Sequence, residues 1–262
     1  IEMASRACHR MGTGLVTVAT WEDSFELLMQ KIASETMAVA LRFEGKAFDL
    51  YRQTLPTYSS IVVGPGLGLR PDGRKVMEEL LTYYKGPMVL DADALNLISE
   101  HGLHDLLISR RAPTVLTPHP GEMARLLGIP KEEVMNDVLK SLRLAVEKTH
   151  AIVLLKGAAT LIGSPDKGIF LNHYPNDGMA TAGSGDVLAG MIGGLLGQKM
   201  DPFEATLLGV YLHSLAGGIA AESQGHRSMT AQDIIENISH AFKEIKTDRD
   251  SKLPIESRAH LL

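Results

Sequence analysis

Four short apolar runs, at residues 60–63, 88–90, 114–117 and 152–155, set the terms on which this chain can fold. None alternates polar with apolar positions, so each reads as a strand buried on both faces. Segments with helical periodicity separate them, a pattern that makes a parallel sheet covered by helices on both sides. In such a sheet the carboxyl ends of the strands lie along one edge, where ligands bind. The sequence fills those ends with Gly64-Pro65-Gly66-Leu67-Gly68, Asp91-Ala92-Asp93, His119-Pro120-Gly121-Glu122 and Lys156-Gly157. A fifth glycine-rich loop, 176–186, ends in Gly183-Ser184-Gly185-Asp186. Five such loops on one rim point to a functional site.

The rest of the chain is read more coarsely. Residues 3–11 end a helix, 15–19 form a buried strand, and 21–50 hold one or two helices and a loop. A helix begins at Pro71, and 131–148 is one amphipathic helix with Val134, Val138, Leu142, Ala145 and Val146 on its apolar face. Residues 160–162 and 168–171 pair antiparallel across a turn. Two apolar helices follow near 187–198 and 203–222, core or partly interface. A last helix starts at Thr230 and buries Ile234, Ile238, Phe242 and Ile245; the polar tail 247–262 is expected to be partly disordered. With no repeat and no linker, 1–262 reads as one domain.

The totals exclude several classes. A net charge of −5 gives no electrostatic case for nucleic acid or an anionic membrane. The single cysteine, Cys8, is expected in the core; alone it forms no internal disulfide and suits a reducing compartment. No paired-cysteine or His-Glu-x-x-His pattern asks for a tightly held transition metal.

Gly183 and Gly185 permit backbone geometry closed to other residues, and the helix after them presents unpaired N–H groups to an anion. A carboxylate in that setting should repel an anion. Asp186 is therefore read as a base that deprotonates a hydroxyl while Gly183, Ser184 and Gly185 hold phosphoryl charge. Each feature also has a plainer reading. Asp186 is equally able to cap its helix, residues 64–68 to be a simple turn, and Asp91 and Asp93 to be caps. His119 reads equally as an ordinary loop histidine and Lys156 as a surface lysine.

Taken in series, the 62–68, 90–96, 116–122, 155–160 and 176–186 motifs resemble the ADP/ATP-dependent NAD(P)H-hydrate dehydratases of the ribokinase-like superfamily. The resemblance implies a three-layer α/β/α fold with a mostly parallel central sheet. It also implies an enzyme that repairs hydrated NADH or NADPH: the ring hydroxyl is phosphorylated by ATP or ADP, and phosphate then leaves. By the same resemblance Asp186 is the catalytic base and also touches substrate. Gly183, Ser184 and Gly185 form the anion hole; Lys156, Gly157, Ala158, Ala159, Thr160 and Gly185 bind the nucleotide; Gly66, Gly68 and His119 bind the hydrated dinucleotide. Glu122 is the expected Mg2+-positioning acid, directly or through water. Relatives begin with a further strand and a Gly/Ala-rich loop that this chain is expected to lack, and some carry an upstream epimerase domain. A homo-oligomer such as a tetramer, and a cytoplasmic location with an organelle left open, complete the expectations. A small-molecule kinase of the same superfamily and a non-catalytic nucleotide-binding module are the alternatives.

Overall fold

The computed structural model describes residues 1–42, 53–250 and 259–261. Seven strands form the main sheet in chain order. β3 (Ile61–Val63), β4 (Met88–Leu90), β5 (Thr114–Leu116) and β6 (Ile152–Leu155) run parallel. β7 (Ala159–Ser164), β8 (Gly168–His173) and β9 (Ala259–Leu261) add an antiparallel flank. β1 (Thr17–Trp21) and β2 (Met37–Leu41) pair parallel in a separate two-stranded sheet.

Adjacent strand residues point to opposite faces, and the two faces carry two cores. Leu90, Leu116, Val153 and Leu155 pack on one side against α3 (Pro71–Tyr83), α4 (Asp93–His101) and α6 (Pro120–Leu127), with α5 (His104–Ser109) beyond them. Val89, Val115, Ile152 and Leu154 face the other side. They meet α9 (Ser184–Gly197), α10 (Pro202–Gln224) and α11 (Ala231–Asp250). The result is the expected three-layer α/β/α arrangement, with the rim loops at the carboxyl ends of the parallel strands.

Of the apolar helices near 187–222 the second leaves Leu207, Leu208, Tyr211 and Ile219 only partly buried, while the first is core, residues 187–196 being buried without a break. Glycine makes this possible. A β-carbon on Gly190 would lie 2.1 Å from the Ala4 carbonyl oxygen, so α9 meets α1 (Glu2–Arg10) backbone to backbone.

Several expectations need correction. The strand placed at 15–19 begins at Thr17, and Leu15 is 80% exposed. Residues 21–42 hold α2 (Glu22–Met29) and then the strand β2, which sequence reading had as helix and loop; 43–50 lie outside the described residues. The single helix at 131–148 is two, α7 (Lys131–Asn136) and α8 (Val138–Thr149). Asp137 breaks it by accepting a hydrogen bond from the Lys140 N–H at 2.8 Å, capping α8. In α11, Ile234, Ile235 and Ile238 are buried but Phe242 is 36% exposed. Of the 247–262 tail, 247–250 continue α11 and 259–261 pair with β8, while 251–258 and 262 lie outside the described residues. Cys8 is only partly buried, its thiol donating to Thr13 Oγ1 at 3.3 Å.

Gly190→Ala should lower stability by about 3 kcal/mol, the upper end for overpacking, because the obstacle is backbone rather than a movable side chain. Urea denaturation reads this as a lower midpoint at unchanged slope; an unchanged midpoint would contradict the close approach of α1 and α9.

Candidate active site

Asp91, at the end of β4, is 1% exposed and sits under the rim. Its Oδ1 accepts from Thr117 Oγ1 at 2.8 Å and from Lys156 Nζ at 2.7 Å, which joins the ends of β4, β5 and β6. The β3 loop closes on the same residue. Gly64 has φ +124°, and a β-carbon there would lie 1.7 Å from the Asp91 carbonyl oxygen. Ala92, between the two acids, has φ 47°, an unfavourable backbone for a residue with a side chain. Next to it Asp93 Oδ2 accepts the Gly68 N–H at 2.8 Å, fixing the far end of the 64–68 loop. Asp91 and Asp93 thus brace the rim, and the 64–68 segment is more than a turn.

The β5 loop is held by reciprocal capping of α6. His119 Nδ1 accepts the N–H groups of Gly121 at 2.9 Å and Glu122 at 3.3 Å, while Glu122 Oε2 accepts the His119 N–H at 2.8 Å. The His119 ring is half exposed and its Nε2 lies 3.4 Å from Glu122 Oε1. Burial lowers its pKa, opposed by the Glu122 charge and aided by Lys156 and Arg125. Glu122 is buried and lies 3.8 Å from Lys156 Nζ.

Lys156 therefore stands between two acids. It also faces the fifth loop: a β-carbon on Gly185 would lie 3.2 Å from Lys156 Nζ and 3.8 Å from Asp91 Oδ2. Gly183 adopts φ 90° at the start of α9, and no side chain caps this helix end. The Ser184 N–H bonds the Thr181 carbonyl at 3.3 Å. Those of Gly183, Gly185 and Asp186 have no partner among the described residues. Asp186 is not a cap; its side chain is 31% exposed, 3.8 Å from the amino group of Ile1. Burial pushes its carboxyl above the usual carboxylate range, the Ile1 amine opposes this, and Asp91 adds to it.

Named contacts thus link the first four loops to one another, and Lys156 and Asp91 face the fifth. Gly66 joins them, since a β-carbon there would come within 3.8 Å of the Ile1 nitrogen. Gly157 and Ala158 form an exposed turn, and Ala159 and Thr160 open β7. Among the described residues no three His, Cys, Asp or Glu side chains gather as a metal-binding group.

One residue of this site escaped the sequence reading. His213, on α10, is buried beneath the anion loop, with Nε2 3.0 Å from the Ser184 carbonyl and 3.3 Å from its hydroxyl. Burial holds its pKa down to about 4. An imidazole inside an apolar helical pattern gives no local signal of the loop it supports.

A sequence model of NAD(P)H-hydrate dehydratase matches residues 1–240. The chain belongs to this family. It is 38% identical over 255 residues to the bifunctional NAD(P)H-hydrate repair enzyme Nnr of Moorella thermoacetica, covering 95% of this chain and 47% of that one. It is 44% identical over 165 residues to the ADP-dependent (S)-NAD(P)H-hydrate dehydratase of Neisseria meningitidis, covering 63% of this chain and 56% of that one. The ADP/ATP-dependent NAD(P)H-hydrate dehydratase of Bacillus subtilis, co-crystallised with ATP/Mg2+, superposes with a TM-score of 0.77 at 26% identity. That match covers 92% of this chain and 83% of the other. The family and the ribokinase-like fold are those the motifs implied. The chain spans about half the length of the curated relatives it matches.

Two measurements test this geometry. Lys156→Met should destabilise by about 3 kcal/mol, because it strands a buried carboxylate. Adding Asp91→Leu should recover at least half of that in a double-mutant cycle, and simple additivity would exclude the pairing. His213 has a folded pKa below its unfolded 6.5, so its stabilising effect is complete above pH 6.5 and is lost as pH falls toward about 4. His213→Gln should accordingly remove roughly 3 kcal/mol of acid sensitivity between pH 7.5 and 4, read from urea midpoints at the two pH values. An equally acid-sensitive variant would assign that loss to other groups.

Proposed function

We propose that this chain dehydrates hydrated NADH and NADPH, in the S configuration, at the expense of ATP or ADP. The observation that carries this reading is Asp186, a partly buried carboxylate beside helix-end N–H groups that have no partner among the described residues. Hydroxide is a poor leaving group. Asp186 takes the proton of the ring hydroxyl, and the freed oxygen attacks the terminal phosphorus of the nucleotide. One P–O bond forms as the bond to the departing nucleotide breaks. Phosphate then leaves the ring with the C–O electron pair, and loss of a ring proton restores the double bond.

The N–H groups of Gly183, Gly185 and Asp186 offset charge on the transferring group. That of Ser184 also meets the Thr181 carbonyl at 3.3 Å, at the edge of the same anion hole. Lys156, fixed by Asp91, places a positive charge beside Gly185, with Gly157, Ala158, Ala159 and Thr160 continuing the nucleotide side of the rim. Gly66, Gly68 and His119 form the dinucleotide side.

Mg2+ commonly keeps several waters and takes one or two carboxylates plus substrate phosphates. A single acid such as Glu122, with no three-residue His, Cys, Asp or Glu group around it among the described residues, fits an ion of that kind. Glu122 would hold the ion, which supplies charge neutralisation at the phosphates. A cytoplasmic site of action and a homo-oligomer belong to the same proposal, and light scattering decides the latter. Among the described residues no helix is long and apolar enough to cross a membrane.

The test is to incubate hydrated NADH with ATP and follow the return of nicotinamide absorbance. Asp186→Asn should reduce turnover at least ~100-fold while retaining nucleotide binding; a variant within tenfold of the parent would remove Asp186 from the base role. The raised Asp186 pKa places the acid limb of kcat/KM above pH 3.8, with the rate rising as the carboxylate ionises.

A further inference from the structure

We infer that α10 sets the geometry of the 176–186 loop from beneath, with His213 and Asn176 as the positioning residues at its two ends. The kinetic part of this inference rests on the function proposed above. One strip of α10 meets the loop twice. At the far end, the buried His213 has Nε2 3.0 Å from the Ser184 carbonyl oxygen. A carbonyl only accepts, so Nε2 carries the ring hydrogen and donates it. Ser184 opens α9, and this bond holds the first turn of the helix whose end presents the Gly183, Gly185 and Asp186 N–H groups. At the near end, Asn176 Nδ2 donates to the Gly217 carbonyl at 2.9 Å, and its Oδ1 accepts the Gly178 N–H at 3.0 Å. Both ends of that side-chain amide are committed to backbone.

Residues four apart lie on one side of a helix, which brings His213 and Gly217 under the loop together. Ser214 and Gly218 widen the strip. Asn172 Nδ2 donates to Ser214 Oγ at 2.8 Å, and a β-carbon on Gly218 would lie 2.9 Å from Tyr174 Oη. A β-carbon on Gly217 would lie 2.5 Å from Met179 Sδ, so the loop also rests on the helix between its two clamps. An apolar side chain would serve at position 213 if packing were its only purpose. The imidazole there is instead kept neutral by burial, and a buried polar group costs stability unless its hydrogen bond is made. Its acceptor belongs to the turn that carries the three N–H groups. Such amides act on developing charge because they are placed before it forms, and a shift of about 1 Å can cost ~100-fold in rate. The two clamps therefore act on the chemical step more than on substrate capture.

The experiment compares the parent chain with His213→Leu, His213→Gln and Asn176→Ala on hydrated NADH, with ATP varied separately. Leu fills the space without a donor, whereas Gln carries an amide N–H at the same number of bonds from the backbone. His213→Leu should lower kcat about 10- to 100-fold and leave both KM values within about threefold; His213→Gln should recover most of the loss. Asn176→Ala should lower kcat in the same way, and it decides the matter if His213→Leu does not fold. Unchanged kcat in either folded variant, a loss confined to KM, or equal losses for Leu and Gln overturns the assignment and leaves the proposed function intact. Failure of the parent chain to convert hydrated NADH would sink that function instead. Amide hydrogen exchange then makes the comparison without turnover. The Val187 N–H bonds the Gly183 carbonyl at 3.0 Å. Its exchange should quicken about fivefold in His213→Leu, with His213→Gln matching the parent. Equal exchange in all three chains overturns the assignment.

Discussion

Asp91 is the point on which the site is assembled. One buried carboxylate oxygen receives a hydroxyl from the strand beside it and an ammonium from the next strand along. The main chain of the same residue leaves room for nothing larger than glycine at position 64. A charge this deep is tolerated only when it is well paired. The pairing fixes Lys156, and Lys156 in turn faces Gly185 at the start of the helix that carries Asp186. The positions of Lys156 and of the 64–68 loop thus descend from one buried carboxylate and its main chain.

The arrangement also separates two kinds of acid. Asp91 and Asp93 are spent on a backbone amide, a hydroxyl and an ammonium, and one Glu122 oxygen on the His119 amide, so these contacts act as mortar. Asp186 accepts no hydrogen bond from the described residues, and burial disfavours its charge. Four carboxylates within one rim therefore have different roles, set by what each accepts. That difference, more than the glycine pattern, distinguishes a base from a helix cap.

Much of this was legible beforehand. Unbroken apolar runs such as Met88–Leu90 admit little besides a strand covered on both faces, and parallel order then places every following loop on one edge. The Gly183 to Asp186 loop was legible because glycine and an acid beside an apolar helix make an unusual combination. What stayed hidden was decided by tertiary contact. β2 was missed because its residues alternate between exposed and more buried positions while the sequence Met37–Leu41 is apolar throughout and shows no alternation. Asp137 split a helix whose apolar periodicity continued through the break. His213 looks like any polar residue in an apolar helix until α10 is laid beneath Ser184. Asp91 and Lys156, each ambiguous alone, acquire their meaning from a contact across 65 residues.

That span has a consequence for how the chain comes alive. The partners of the rim are dispersed through the sequence, from the 64–68 loop to His213, and parallel pairing closes long loops before any of them meet. Non-local contacts of this kind form late and slowly. A half-folded chain would own strands and helices yet no pocket, so competence should emerge in one step, together with the last of the sheet.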